Sequence, residues 1–127
     1  MDGMEVTGPV YTISKRFDFS ASHFIGGLAH DHPCARLHGH NYVVEIVLEA
    51  PELDDIGFVR DYRELDALKA FINETCDHRH LNDVLGHDQT TSENLAKWLY
   101  DWCHERWPDV REVRISETPK TWASYRP

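Results

Sequence analysis

The sequence predicts an α+β fold: one four-stranded antiparallel sheet with two helices on one face. Two observations predict it. Apolar and polar residues alternate, as in half-buried strands, in two segments near the N-terminus and two near the C-terminus. Between these pairs the apolar period lengthens twice to that of a helix. The resulting order, β-β-α-α-β-β, favours antiparallel pairing with the helices gathered on one side.

The first strand runs from about Tyr11 to His23. In "RFDFSASH", Phe17, Phe19, Ala21 and His23 alternate with Asp18, Ser20 and Ser22, so His23 ends the apolar face. A loop, "FIGGLAHDHPCARL", follows, punctuated by Gly26, Gly27 and Pro33. In the second strand, "HGHNYVVEIVLEA", His38, His40, Tyr42, Val44, Ile46 and Leu48 share a face. "PELDDIG" is a turn. From about Asp61 to Cys76, Leu65, Leu68, Phe71 and Ile72 form a helical stripe. "DHRHLNDVLGHDQ" reads as a connecting loop. The second helix starts at "TTSE", where Thr90 and Glu93 fit a capping box, and presents Leu95, Trp98, Leu99, Trp102 and Cys103. Pro108 ends it. "VREVRISE" is a third strand with Val113, Ile115 and Glu117 on one face, and "TWASYR" is a short fourth.

At 127 residues the chain has the size of one domain, taken as residues 1–127, and can bury a core without staples. Its 41% hydrophobic and 28% charged residues fit a soluble globular protein. No apolar run approaches the roughly 20 residues of a membrane span. "MDGMEVTGPV" lacks the basic start and apolar stretch of an export signal. Three widely spaced cysteines argue against a disulfide framework and for a reducing cytoplasm. The net charge of -9, without a Lys/Arg cluster, argues against a nucleic-acid partner. A phosphorylated substrate would need local cations, for which Lys15, Arg16, Arg36 and Arg79 are candidates.

The histidines point to a metal. Residues two apart on a strand project the same way, so His38 and His40 aim at one point, and His23 joins them from a neighbouring strand. Three neutral imidazoles with an open fourth position make a catalytic zinc site, in which a further acceptor would fix His40. His30 and His32 are rival ligands in the loop. A cupin-like reading of "HGHNYVVE" is disfavoured, because Glu45 falls on the opposite strand face and helices interrupt the strands. Ordinary loop-edge histidines are the bland alternative.

Cys76 and Cys103 fall on or beside helical apolar faces and read as core thiols. Cys34, four residues before His38, has two readings. As a fourth ligand it would close a structural zinc site and make the chain a non-enzymatic module. As a thiolate beside the metal it would be a base.

"FSASH", "CARLHGHNY", "DHRHLND", "TTSENLAKW" and "SET" together resemble the 6-pyruvoyl-tetrahydropterin synthase superfamily, over about residues 12 to 126. The short spacer from Cys34 to "HGH" resembles its bacterial 6-carboxy-5,6,7,8-tetrahydropterin synthase branch. The resemblance implies a T-fold (tunnelling fold), a homohexamer of two trimers, and active sites between subunits. It implies Zn2+ on His23, His38 and His40, Cys34 as general base, and Asp77 with His78 as its catalytic partner. It implies that Glu117 anchors the pterin, with Thr91 and Ser92 adding contacts. Bland counterparts exist for each: a His at a helix end, an exposed strand-end Glu, and helix-capping hydroxyls. Arg79 and His80 depart from the family pattern, where an aromatic or second His is common. The implied reaction converts 7,8-dihydroneopterin triphosphate to 6-carboxytetrahydropterin, acetaldehyde and triphosphate. The pathway could be queuosine or another 7-deazapurine. The pyruvoyl chemistry on the same scaffold is the alternative.

Overall fold

Strand β1 (Tyr11–His23) pairs antiparallel with β2 (His38–Ala50) along its whole length, from Tyr11↔Ala50 to His23↔His38. This is a computed structural model that describes residues 8–127; the first seven, part of the segment read as lacking an export signal, lie outside the described residues. The chain continues through α1 (Asp66–Thr75), β3 (Arg79–His80), α2 (Leu81–Leu85), α3 (Ser92–Arg106), β4 (Val110–Thr118) and β5 (Thr121–Tyr125). The sheet order is β3-β1-β2-β4-β5.

The four predicted strands and both predicted helices are present, and the sheet has one strand more than predicted. That fifth strand, β3, spans two residues and runs parallel to β1 at Ala21 and Ser22. Two residues are too few to show an alternating pattern, and backbone pairing alone places them. The sheet is therefore mixed, an antiparallel four-stranded core with a short parallel edge. Helix α2 lies where the sequence suggested a loop. Its five residues are too few for a helical period to register, and it stops at Gly86 in the left-handed region (φ 80).

Other boundaries shift for local reasons. The segment from Asp61 opens as a 3-10 turn over Tyr62–Leu65, with the Asp61 side chain accepting from Arg63 N–H. The cap of α3 is Thr91, which accepts from Asn94 N–H at 3.2 Å, one residue later than the capping box predicted. Thr90 is instead buried. The exit of α3 at Trp107 precedes Pro108, as expected.

One face of the sheet carries the core. Phe17, Phe19 and Ala21 lie beside Tyr42, Val44, Ile46 and Leu48, then Val113 and Ile115. Against them pack Leu65, Leu68 and Ile72, and Leu95, Leu99 and Cys103. Each fully buried aliphatic side chain here contributes about 1.5–3 kcal/mol relative to exposure. Phe71 joins the two longer helices through Trp98 and Trp102, at ring separations of 5.5 and 4.3 Å.

The opposite face is polar. There Glu45, paired across the strands with Arg16 and Arg114, accepts from both guanidinium groups at 3.4 and 2.8 Å. This accounts for Glu45 without a metal. The β2–β4 ladder begins only at Val43↔Ser116. Residues 38–41 therefore pair with β1 alone, and their other edge faces a cleft.

Candidate functional site

The register of β1 and β2 builds the three-histidine cluster. It sets His23 directly across from His38, and His40 across from Ala21. The ring centroids of His23, His38 and His40 lie 4.6 to 5.2 Å apart, and one ligand atom from each lies within 4.8 Å of the others. His23 is fully buried. Its Nδ1 lies 2.8 Å from the Thr90 carbonyl, and its Nε2 has no hydrogen-bond partner among the described residues. Nδ1 of His38 lies 2.6 Å from the Arg36 carbonyl. A carbonyl can only accept, so both Nδ1 atoms donate and the lone pairs sit on Nε2. The backbone acceptors thus orient His23 and His38, whereas the sequence suggested such help for His40. Burial holds His23 and His40 below the ordinary imidazole range, and the charge of His38 adds to this in both. Glu117 opposes it. Neutral imidazoles with an orphaned, buried Nε2 fit a metal ion.

Glu117 reaches the same point from β4. Its carboxylate lies 3.7 Å from His40 Nε2 and 3.9 Å from His23 Nε2. It lines a cavity of about 510 Å³ together with His40. The Tyr42 ring packs edge-on against His23 and His40. Burial and then Glu117 push its hydroxyl pKa up.

Cys34 is outside the three-histidine cluster, as are His30 and His32. It sits half-buried in a 3-10 turn, Pro33–Ala35. His32 caps that turn by accepting from Cys34 N–H at 3.0 Å. The Cys34 carbonyl accepts from Ile25 N–H, and the Asp88 carbonyl from Gly26 N–H, both at 2.8 Å. A Cβ on Gly26 would lie 2.9 Å from Asp88 Cβ, so only glycine fits this approach.

Asp77 and His78 form a pair on the far side of β1. Asp77 accepts from Ser20 N–H and lies against His78 Nδ1, both at 2.9 Å. These two contacts, the backbone one first, hold its carboxyl below the ordinary range. His78 has a positive φ of 58, unusual for a side chain with a Cβ, and donates its N–H to the Ser20 carbonyl at 2.6 Å. A cavity of about 590 Å³ has both His40 and His78 in its wall. The structure thus brings the histidines and Glu117 together directly, and His78 through that shared cavity. The Thr91 hydroxyl serves as a helix cap, while Ser92 Oγ is buried without a partner among the described residues.

Three residues not predicted as part of the site support it. Thr90 holds His23, Asn82 bridges Phe24 N–H, Phe24 carbonyl and Asp88, and Tyr42 backs the ring cluster. Tyr42 continues the His38–His40 stripe and is findable from it. Thr90 contacts His23 across 67 residues and Asn82 contacts Phe24 across 58, and no local pattern marks either.

The family model "6-pyruvoyl tetrahydropterin synthase" matches residues 12–127. The chain is 33% identical to 6-carboxy-5,6,7,8-tetrahydropterin synthase of Bacillus subtilis, over 92% of this chain and 86% of that protein. It is 32% identical to the Synechocystis protein of the same name, over 91% and 93%. Among solved structures, 6-pyruvoyl tetrahydropterin synthase of Caenorhabditis elegans superposes with a TM-score of 0.81 at 28% identity, covering 94% of this chain and 96% of that one. The chain belongs to the 6-pyruvoyl tetrahydropterin synthase family, a family of lyases.

Proposed function

We propose that this chain, acting as one domain over residues 1–127, is a zinc-dependent 6-carboxy-5,6,7,8-tetrahydropterin synthase. Its substrate is 7,8-dihydroneopterin triphosphate, and its products are 6-carboxytetrahydropterin, acetaldehyde and triphosphate. The observation that carries the reading is the orphaned Nε2 of buried His23, converging with His38 and His40 beside the Glu117 carboxylate. The identity to carboxy-forming relatives over most of the chain supports that branch.

Nε2 of His23, His38 and His40 would hold the zinc, which supplies Lewis acidity toward side-chain oxygens of the substrate. Glu117 accepts two N–H groups from the guanidine-like edge of the pterin, and this bidentate contact fixes the ring. Thr91 and Ser92 add contacts to the pterin across the subunit boundary. Cys34 accepts a proton from the substrate as thiolate. His78 moves a proton on the other side through Nε2, while Asp77 holds its Nδ1.

The functional unit is a homohexamer in the cytoplasm, with sites completed by neighbouring copies. The outer edge of β1 before Ala21 and the outer edge of β5 lack a strand within the described residues, which suits edge-to-edge assembly. Solution mass tests this. The product serves 7-deazapurine synthesis, with queuosine as the expected end point; loss of queuosine in a deletion strain tests that role.

The decisive experiment measures zinc content and turnover of wild type and Cys34→Ala. The expected result is that both bind zinc and only wild type turns over. Loss of zinc in Cys34→Ala would instead make Cys34 a ligand, and a zinc-loaded but inactive wild type would sink the enzyme reading. The C. elegans likeness keeps pyruvoyl chemistry as the second reading. Product mass spectrometry separates the two, since only the carboxy reaction releases acetaldehyde.

A further inference from the structure

The proposed chemistry leaves Arg79 and His80 without a role, yet both line the same cavity as His40 and His78. We propose that Arg79 and His80 form the subsite for the polyphosphate tail of the substrate. This inference rests on the reading of the substrate as a pterin triphosphate.

The cavity has the size of a small-molecule site, about 590 Å³. Among the described residues no Asp or Glu lines it, in a chain of net charge -9. Its wall offers a guanidinium and imidazoles, groups that donate to phosphate oxygens, while the Ser20 hydroxyl already donates to Asn41 Oδ1 at 2.6 Å. Because His40 also lines it, a ligand whose oxygens approach the metal can extend its tail there.

The two side chains are placed for this work. Arg79 is fixed through its backbone, by pairing with Ala21 and by donating N–H to the Cys76 carbonyl at 3.1 Å. Its side chain is exposed and forms no ion pair among the described residues. The other candidate cations on β1 are engaged: Lys15 with Asp66 at 3.1 Å and Arg16 with Glu45 at 3.4 Å. A free planar guanidinium can grip two phosphate oxygens at once. The His80 ring stacks on Phe24, and its Nδ1 lies 3.1 Å from Ser22 Oγ, which leaves Nε2 for a ligand.

The test is calorimetric binding of inorganic tripolyphosphate to the zinc-loaded full chain at low salt. Arg79→Ala should weaken binding by about tenfold or more, the value of a charge-assisted contact. His80→Ala should weaken it less, and Arg79→Lys should keep part of the affinity. Binding of phosphate-free 7,8-dihydroneopterin and zinc content should not change. In turnover, Arg79→Ala should raise KM far more than it lowers kcat. Tripolyphosphate binding equal to wild type in both alanine variants would overturn the subsite. The two readings fail separately. Arg79-dependent tripolyphosphate binding without pterin turnover would leave the anion site standing and remove the proposed reaction. Turnover with Arg79-independent binding would do the reverse.

Discussion

At the scale of single residues, the site depends on which polar atoms are already satisfied. His23 and His38 each give Nδ1 to a backbone carbonyl, so only Nε2 remains for a ligand. His38→Ala should therefore drop bound metal to near zero, measured by elemental analysis. The variant should keep the thermal midpoint of metal-free wild type, because His38 is only half-buried and the truncation itself removes little packing. The cysteines divide in the same way. Burial pushes the Cys76 and Cys103 thiols up to about 12, whereas Cys34 is half-buried on a turn. Native protein at pH 8 should react with iodoacetamide at Cys34 alone, as peptide mass mapping can show; labelling of Cys76 before unfolding would contradict it. The three clustered histidines were legible because a strand's period of two is strict. Thr90 and Asn82 were not, because their contacts cross more than fifty residues.

At the scale of elements, the loop between β1 and β2 is a seated structure. His32, Ile25 and the Gly26–Asp88 contact fix the turn that carries Cys34. Gly26→Ala places a Cβ against Asp88 Cβ and should cost about 1–3 kcal/mol by overpacking, read from urea unfolding. It should also change the rate of Cys34 alkylation, which an effect remote from the loop would leave alone. Long elements were readable from period, with β1 and β2 at their predicted bounds. The short ones, β3 and α2, were not, because two and five residues carry no period. Yet β3 carries Arg79 and His80 into the cavity, directly after the Asp77–His78 pair.

At the scale of the whole molecule, one core holds both halves of the site. Cys76 follows α1 and Cys103 lies within α3, and both are buried in that core. Their raised thiol pKa values fix a sign for stability against pH. In the unfolded chain these thiols ionise near 8.5, but in the folded one only near 12. Their contribution is therefore fully present below about pH 8.5 and is lost as pH rises toward 12. Buried Tyr42, with its hydroxyl also raised, acts in the same direction. The thermal midpoint should fall from pH 8.5 to 11, and Cys103→Ala should flatten part of that fall; a pH-independent midpoint would refute the assignment. By itself the sequence determined the fold class, the core faces and the three convergent histidines, since each follows from local periodicity that one buried sheet face enforces. The resemblance added Asp77, His78, Glu117, Thr91 and Ser92 as candidates and favoured the base reading of Cys34. Only the tertiary structure decided that Cys34 lies outside the cluster, that Glu117 closes on it, and that Arg79 and His80 share a cavity with His40. Those relations depend on where distant segments meet, and strand register and backbone hydrogen bonds set that meeting without a periodic trace in the chain.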